Sequence, residues 1–496
     1  MSDIRVSLAA KAFADAEDVI HSLSFSDFRL RPPLDLVVAY APEREGESDG
    51  EFPVPPPRPV VSPALTEMTL TGVQTALARG ELSTREIVES ALALAREHEA
   101  LGAVVATDEE SALRVADELD RERANGRLRG PLHGIPLTVK DIIDVAGLPT
   151  RAGSLAYDDD PSVDAVGVAH LRSDGALILA KVATHEFALG VATPQCRNPH
   201  DPNKLSGGSS GGSAIAVALG IGVGSLGTDT RASLRVPASL CGVVGFKPTF
   251  GRVSTQGIVP LSWTIDHLGP IARTVEDASI LLDSLANEPF LDRSLERPPG
   301  VVGIVPGVLA DADPQIVAAC ENALSVLREA GWRLTTVSGP DVEDLELSNS
   351  LGLLISRSEA AAFHRSQRTD LEKCIPEVHD QLLGGLEITG ADYLDSQRHR
   401  AVLARRTLEQ FAYCDVIMAP TTPIVAPPRD GYERYLLRLS RNTIIWSLIG
   451  APAVSMPVGM SNEGLPIGLQ LAAAPGNEQV LVDAGMTLER ALTYVA

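Results

Sequence analysis

The stretch GTDTRASLRVPASLCG, Gly227–Gly242, places Ser233 in the middle of a polar segment that opens on a glycine and closes on another. Arg231 and Ala232 stand immediately before that serine, where a backbone that must approach a reactant closely would carry no side chains. Upstream lies a second polar knot, LSGGSSGGSA, Leu205–Ala214, which contains Ser209 and Ser210. It runs straight into the helical apolar run AIAVAL, so it does not read as a flexible glycine-serine linker.

Farther upstream, IPLTVKDIIDV sets Lys140 inside a run of branched apolar residues with strand character, and ALILAKV around Lys181 reads the same way. A lysine in such a run must snorkel, pair with an acid, or lose its charge. Asp141 and Asp144 are the nearest acids in sequence, and a salt bridge to either is the simplest structural account. The other account is chemical, because a desolvated, neutral lysine is an able general base for a serine.

Two short motifs here mislead. Gly222, Gly224 and Gly227 match the dinucleotide fingerprint G-x-G-x-x-G, but no acidic residue follows between Asp229 and Asp266 and Pro237 comes soon after. Gly207, Ser209 and Gly211 match the nucleophile elbow G-x-S-x-G, yet the preceding CRNPHDPNKL is a polar, proline-broken loop where that motif needs a strand.

Around these segments the chain alternates helix and strand signals. Ser83 with Glu86, and Thr274 with Asp277, form capping-box patterns ahead of apolar helical runs. GVVGIVPG, a helix from about Pro314 to Ala330 and WRLTTVSG form a strand, helix, strand unit. The expected fold is α/β, a large mixed sheet covered by helices. Residues 1–62 read as a small helical N-terminal appendage with a Pro-rich linker, FPVPPPRPVVSP, leaving 63–496 as the main domain.

Composition bounds the function. The 496 residues are 44% hydrophobic and 22% charged, as in a globular protein. Lysine and arginine number 42 against 65 acidic residues, a net charge of -23 that repels a phosphate backbone and argues against nucleic acid as a partner. Five scattered cysteines without a C-x-x-C pair argue against a zinc site or disulfide framework and suit reduced thiols. Charges interrupt the N-terminal apolar residues, and no uncharged apolar run is long enough to span a bilayer. A cytoplasmic location is expected, with no membrane partner.

Taken in order and at these separations, LTVKD, GGSSGGSA and GTDTRASLRVPASLCGVVGFKPT resemble the amidase signature family. DHLGPIARTVEDA from Asp266 and LIGAPAVSMPVGM with GLPIGLQL resemble its flanking blocks, so the likeness covers roughly residues 66 to 496. The resemblance implies a Ser-Ser-Lys triad of Lys140, Ser209 and Ser233, with Ser233 the nucleophile of an acyl-enzyme and a cis peptide between Gly208 and Ser209. It implies an oxyanion hole of backbone N–H groups at Thr230, Arg231, Ala232 and Ser233, with Ser210, Asp229 and Arg235 in support. The expected activity is metal-independent and cofactor-free hydrolysis of the C–N bond of a small amide, anilide or carbamate. A glutaminase-type subunit of a tRNA-dependent amidotransferase and a catalytically silent binding protein of the same fold are the alternatives; a homodimer is left open.

Most members of that family carry Gly-Gly where this chain has Arg231 and Ala232. If Ala232 must adopt positive φ, strain weakens the hole and restoring glycine should speed acylation. Arg231 is expected to point to solvent or pair with an acid, the alternative being a clamp for a substrate carboxylate.

Overall fold

The computed structural model describes residues 67–295 and 297–492. The expected N-terminal appendage and Pro-rich linker lie outside the described residues.

A mixed sheet of 11 strands organises the molecule. In chain order the strands are β1 (Val104–Thr107), β2 (Pro136–Lys140), β3 (Leu177–Val182), β4 (Gly224–Asp229), β5 (Val244–Lys247), β6 (His267–Ala272), β7 (Val301–Ile304), β8 (Arg333–Thr336), β9 (Val416–Pro420), β10 (Ala453–Met460) and β11 (Pro466–Ala473). Across the sheet they run β1-β3-β2-β4-β6-β5-β10-β11-β9-β7-β8. The apolar runs around Lys140 and Lys181 became β2 and β3, both almost wholly buried, because each is an interior strand of a sheet covered by helices and meets little water.

β2 is parallel to both β3 and β4, with Val139 opposite Lys181 on one side and Leu226 on the other. The C-terminal ends of β2 and β4 therefore lie together, where a sheet of this kind opens a crevice for ligands. The misleading glycine motif falls on the turn before β4 and within β4 itself, so it opens no helix.

β7, the helix Pro314–Glu329 and β8 form the expected strand, helix, strand unit, with the two strands parallel. One apolar cluster joins Leu281 and Leu285 of the helix Val275–Ala286 to Leu481 and Leu488 of the helix Glu478–Ala491 and to sheet residues such as Val454. Another joins Leu351 and Leu354 of the helix Val342–Gln367 to Ile444 and Trp446 of the helix Leu436–Leu448.

Ser83 and Glu86 form the reciprocal capping box ahead of Thr84–Glu97. Thr274 caps the helix Val275–Ala286 by accepting from the Asp277 N–H, but the Asp277 carboxylate does not reach back. It instead accepts from the Leu70 and Thr71 amides at 2.9 and 3.3 Å, holding the N-terminal end of the helix Leu70–Ala78 to that of the helix Val275–Ala286. A carboxylate is favoured there by the unpaired amides and the positive end of the helix dipole.

Candidate active site

Lys140 ends β2 with no accessible surface. Its Nζ donates to Ser209 Oγ at 2.7 Å and to Thr228 Oγ1 at 2.8 Å. Neither neighbouring acid pairs with it. Asp141 lies 3.3 Å from Lys181 Nζ and also accepts from the amides of Arg151 and Gly153. Burial therefore pushes Lys140 down to about 7, against a weaker upward pull from the charges of Asp229 and Asp266. An amine at that poise takes up and releases a proton near neutral pH, as a general base must.

The GGSS segment reaches Lys140 through tight backbone packing. The Gly208–Ser209 peptide is cis. A Cβ on Gly208 would lie 2.1 Å from the Ala192 carbonyl oxygen, so only glycine fits. The need for glycine here comes from protein backbone packed against it rather than from space reserved for a reactant. Ser210 follows at the cap position of the helix Gly211–Ala218, and its Oγ donates to the Thr228 carbonyl at 3.2 Å. Its amide donates to the Ser233 carbonyl at 3.3 Å, which ties the two serine-bearing segments together.

Beyond the end of β4, the backbone N–H groups of Thr230, Arg231, Ala232 and Ser233 donate to no acceptor among the described residues. Buried amides are nearly always paired, so such a run is a ready receptor for negative charge. The next amide, Leu234, is taken by Asp229 Oδ2 at 3.1 Å. Thr230 Oγ1 donates to Asp266 Oδ1 at 2.5 Å, and Asp266 also accepts from the Leu261 and Ser262 amides. Thr228, Thr230, Ile258, Leu261 and Asp266 line a narrow crevice beside these groups.

Asp229 and Arg235 are both fully buried and brace the turn. Arg235 holds the carboxylate through Nε and Nη2, each at 3.0 Å, and extends Nη1 to the Thr443 carbonyl at 2.7 Å. Ser447 Oγ donates to the same carboxylate at 3.0 Å. Burial alone would raise Asp229, but the charge and hydrogen bonds of Arg235 outweigh it and keep the acid below its usual range. His267, opposite Asp229 on β6, makes its Nδ1 contact to the Asp229 carbonyl at 3.1 Å and so supports the backbone.

The two residues before Ser233 differ from expectation. Ala232 is absent from the residues with positive φ, and its buried methyl packs with Val191, Leu205, Val236 and Leu439. The backbone there needs no glycine. Arg231 neither reaches solvent nor pairs with an acid: it is 6% exposed, and its Nη2 donates to Asn349 Oδ1 at 3.0 Å and Ser440 Oγ at 3.3 Å. Sequence reasoning also missed Thr228, the second partner of Lys140; a hydroxyl in a buried strand beside a glycine was its only signal.

A buried lysine on a serine, a second serine beside unpaired amides and a braced turn suit acyl transfer, and the relatives of this chain include hydrolases of C–N bonds. The Amidase family model matches residues 86–482, and the chain belongs to that family. It is 37% identical over 458 residues to an amidase of Pseudomonas putida, covering 87% of this chain and 97% of that one. It is 35% identical over 481 residues to a glutamyl-tRNA(Gln) amidotransferase subunit of Nitratidesulfovibrio vulgaris (strain DP4), covering 86% and 98%. A crystal structure of an amidase superposes with a TM-score of 0.80 at 36% identity, covering 86% of this chain and all of that chain.

Proposed function

We propose that this protein hydrolyses a small amide, anilide or carbamate through an acyl-enzyme on Ser233. The observation that carries the reading is Lys140 Nζ, buried without an acid partner and 2.7 Å from Ser209 Oγ. Neutral Lys140 takes the Ser209 proton as Ser209 takes that of Ser233, and the Ser233 oxygen attacks the carbonyl carbon. The tetrahedral oxyanion is received by the unpaired amides of Thr230 through Ser233. The relay then runs backwards, protonating the nitrogen as the C–N bond breaks, and water repeats the cycle on the acyl-enzyme to release the acid.

Asp229 and Arg235 position the turn that presents Ser233, and Gly208 and Ser210 position Ser209. Five free cysteines, four of them buried, suit a reducing cytoplasm. The similarity to an amidotransferase subunit favours a second reading, a glutaminase half that acts with a partner chain. The purified chain is expected to label with a fluorophosphonate at Ser233 and to release amine from small amides unaided, with Ser233→Ala as blank. Glutamine hydrolysis only with a copurifying second subunit would support the other reading, and absence of labelling in folded protein a silent fold.

A further inference from the structure

Arg357, on the helix Val342–Gln367, is 3% exposed, and the only hydrogen bond of its guanidinium runs from Nη1 to Ser356 Oγ at 3.2 Å among the described residues. Arg231 is likewise held only by neutral oxygens, those of Asn349 and Ser440. The Nε of each is buried without a partner. The two guanidiniums repel one another, and Glu377, the acid that attracts Arg357, is already engaged by Tyr432 at 2.9 Å and lies 3.7 Å from His185.

Burying one unpaired charge is costly, and burying two like charges together is more so. Arginine cannot escape by deprotonating near neutral pH. Burial pushes Arg231 down only to about 10, with no compensating charge, and pushes Arg357 to about 9 with added repulsion from Arg231. The molecule thus keeps two buried cations whose own Nε–H donors are unused, and Arg231 leaves the chain only two residues before Ser233.

We propose that Arg231 and Arg357 form an anion subsite beside Ser233, and that the preferred substrates are short amides that carry a carboxylate. This deepens the proposed function and rests on Ser233 as the nucleophile. Two residues of chain set the Cα atoms of Arg231 and Ser233 at most about 7 Å apart, which favours a short linker between the carboxylate and the scissile carbonyl. The guanidinium fork matches a carboxylate in plane, and the buried setting strengthens the contact.

The test compares succinamate with its neutral isostere 4-methylpentanamide, reading ammonia release. The kcat/KM for succinamate should be greater by roughly 100-fold, and Arg357→Gln and Arg231→Gln should each reduce that ratio by about tenfold or more. A wild-type ratio at or below one, or a ratio unchanged in both variants, overturns the subsite. Calorimetry of malonate, succinate and glutarate with Ser233→Ala reads the subsite without turnover. Binding of any of the three that weakens in the double variant Ser233→Ala with Arg357→Gln upholds it even if Ser233 is not the nucleophile. No binding of any of the three overturns it. Full turnover by Ser233→Ala with the charge preference intact would sink the nucleophile reading alone.

Discussion

Asp141, the residue directly after Lys140, gives its carboxylate to Lys181 across the β2–β3 ladder at 3.3 Å and none of it to Lys140. Two lysines on adjacent buried strands thus have opposite fates. Lys181 keeps a counter-ion, and also donates to the Pro149 carbonyl and Thr150 Oγ1. Lys140 is left with hydroxyls. Lys181→Met should therefore destabilise the fold by about 3 kcal/mol, because Asp141 is left buried and unpaired. Urea denaturation checks this, and a loss under about 1 kcal/mol would show the pair to be dispensable.

The acid limb of kcat/KM should have an apparent pKa near 7, set by Lys140. The folded state holds this amine below its ordinary value of 10.5, so the unfolded chain binds the extra proton between about 7 and 10.5. Within that window each unit of pH lost costs the native state about 1.4 kcal/mol from this group, and below it the penalty is constant. Denaturation of wild type and Lys140→Met at pH 7.5 and 9.5 should show the wild type gaining on the variant as pH rises. Parallel changes in the two would remove Lys140 as the source.

Thr228→Val removes the oxygen that accepts from Lys140 Nζ at 2.8 Å while keeping the volume of the side chain. Losing an acceptor disfavours the ammonium, so the acid limb should move to lower pH by about one unit. A pH–rate profile that keeps its wild-type limb would show that Thr228 does not govern the proton on Lys140.

Ala232→Gly should not speed acylation. Its φ lies outside the left-handed region, and its methyl fills a place in an apolar cluster. Removing the methyl and freeing the backbone should cost about 1 to 2 kcal/mol of stability. Thermal unfolding beside kcat/KM on the best amide checks both parts, and a several-fold rate gain would revive crowding at the oxyanion site.

Much of this site can be read from local chemistry. A lysine in a branched apolar strand, a glycine-serine knot ahead of a helix and a serine after a strand are each visible within a dozen residues, and β2 and β4 bring them to one end of the sheet. The surroundings of Arg231 cannot be read that way. Its partners Asn349 and Ser440 lie 118 and 209 positions away, on helices whose buried faces carry polar residues that the periodicity of apolar residues does not mark. The strain expected at Ala232 rests on the resemblance to a family that carries Gly-Gly there, and backbone angles depend on how the turn is held, which here falls to Asp229 and Arg235.

That brace also sets how much of the chain must be present before the turn is held. Arg235 bonds to the Thr443 carbonyl 208 positions later and to Gln470 Oε1 235 positions later, and Ser447 closes on Asp229 across 218. A chain that ends in the middle of the sequence would hold Lys140, Ser209, Ser233 and the local Asp229–Arg235 pair, but not the Thr443, Ser447 and Gln470 groups that anchor that pair. The turn is therefore held at every point only when the segment through Gln470 has joined it.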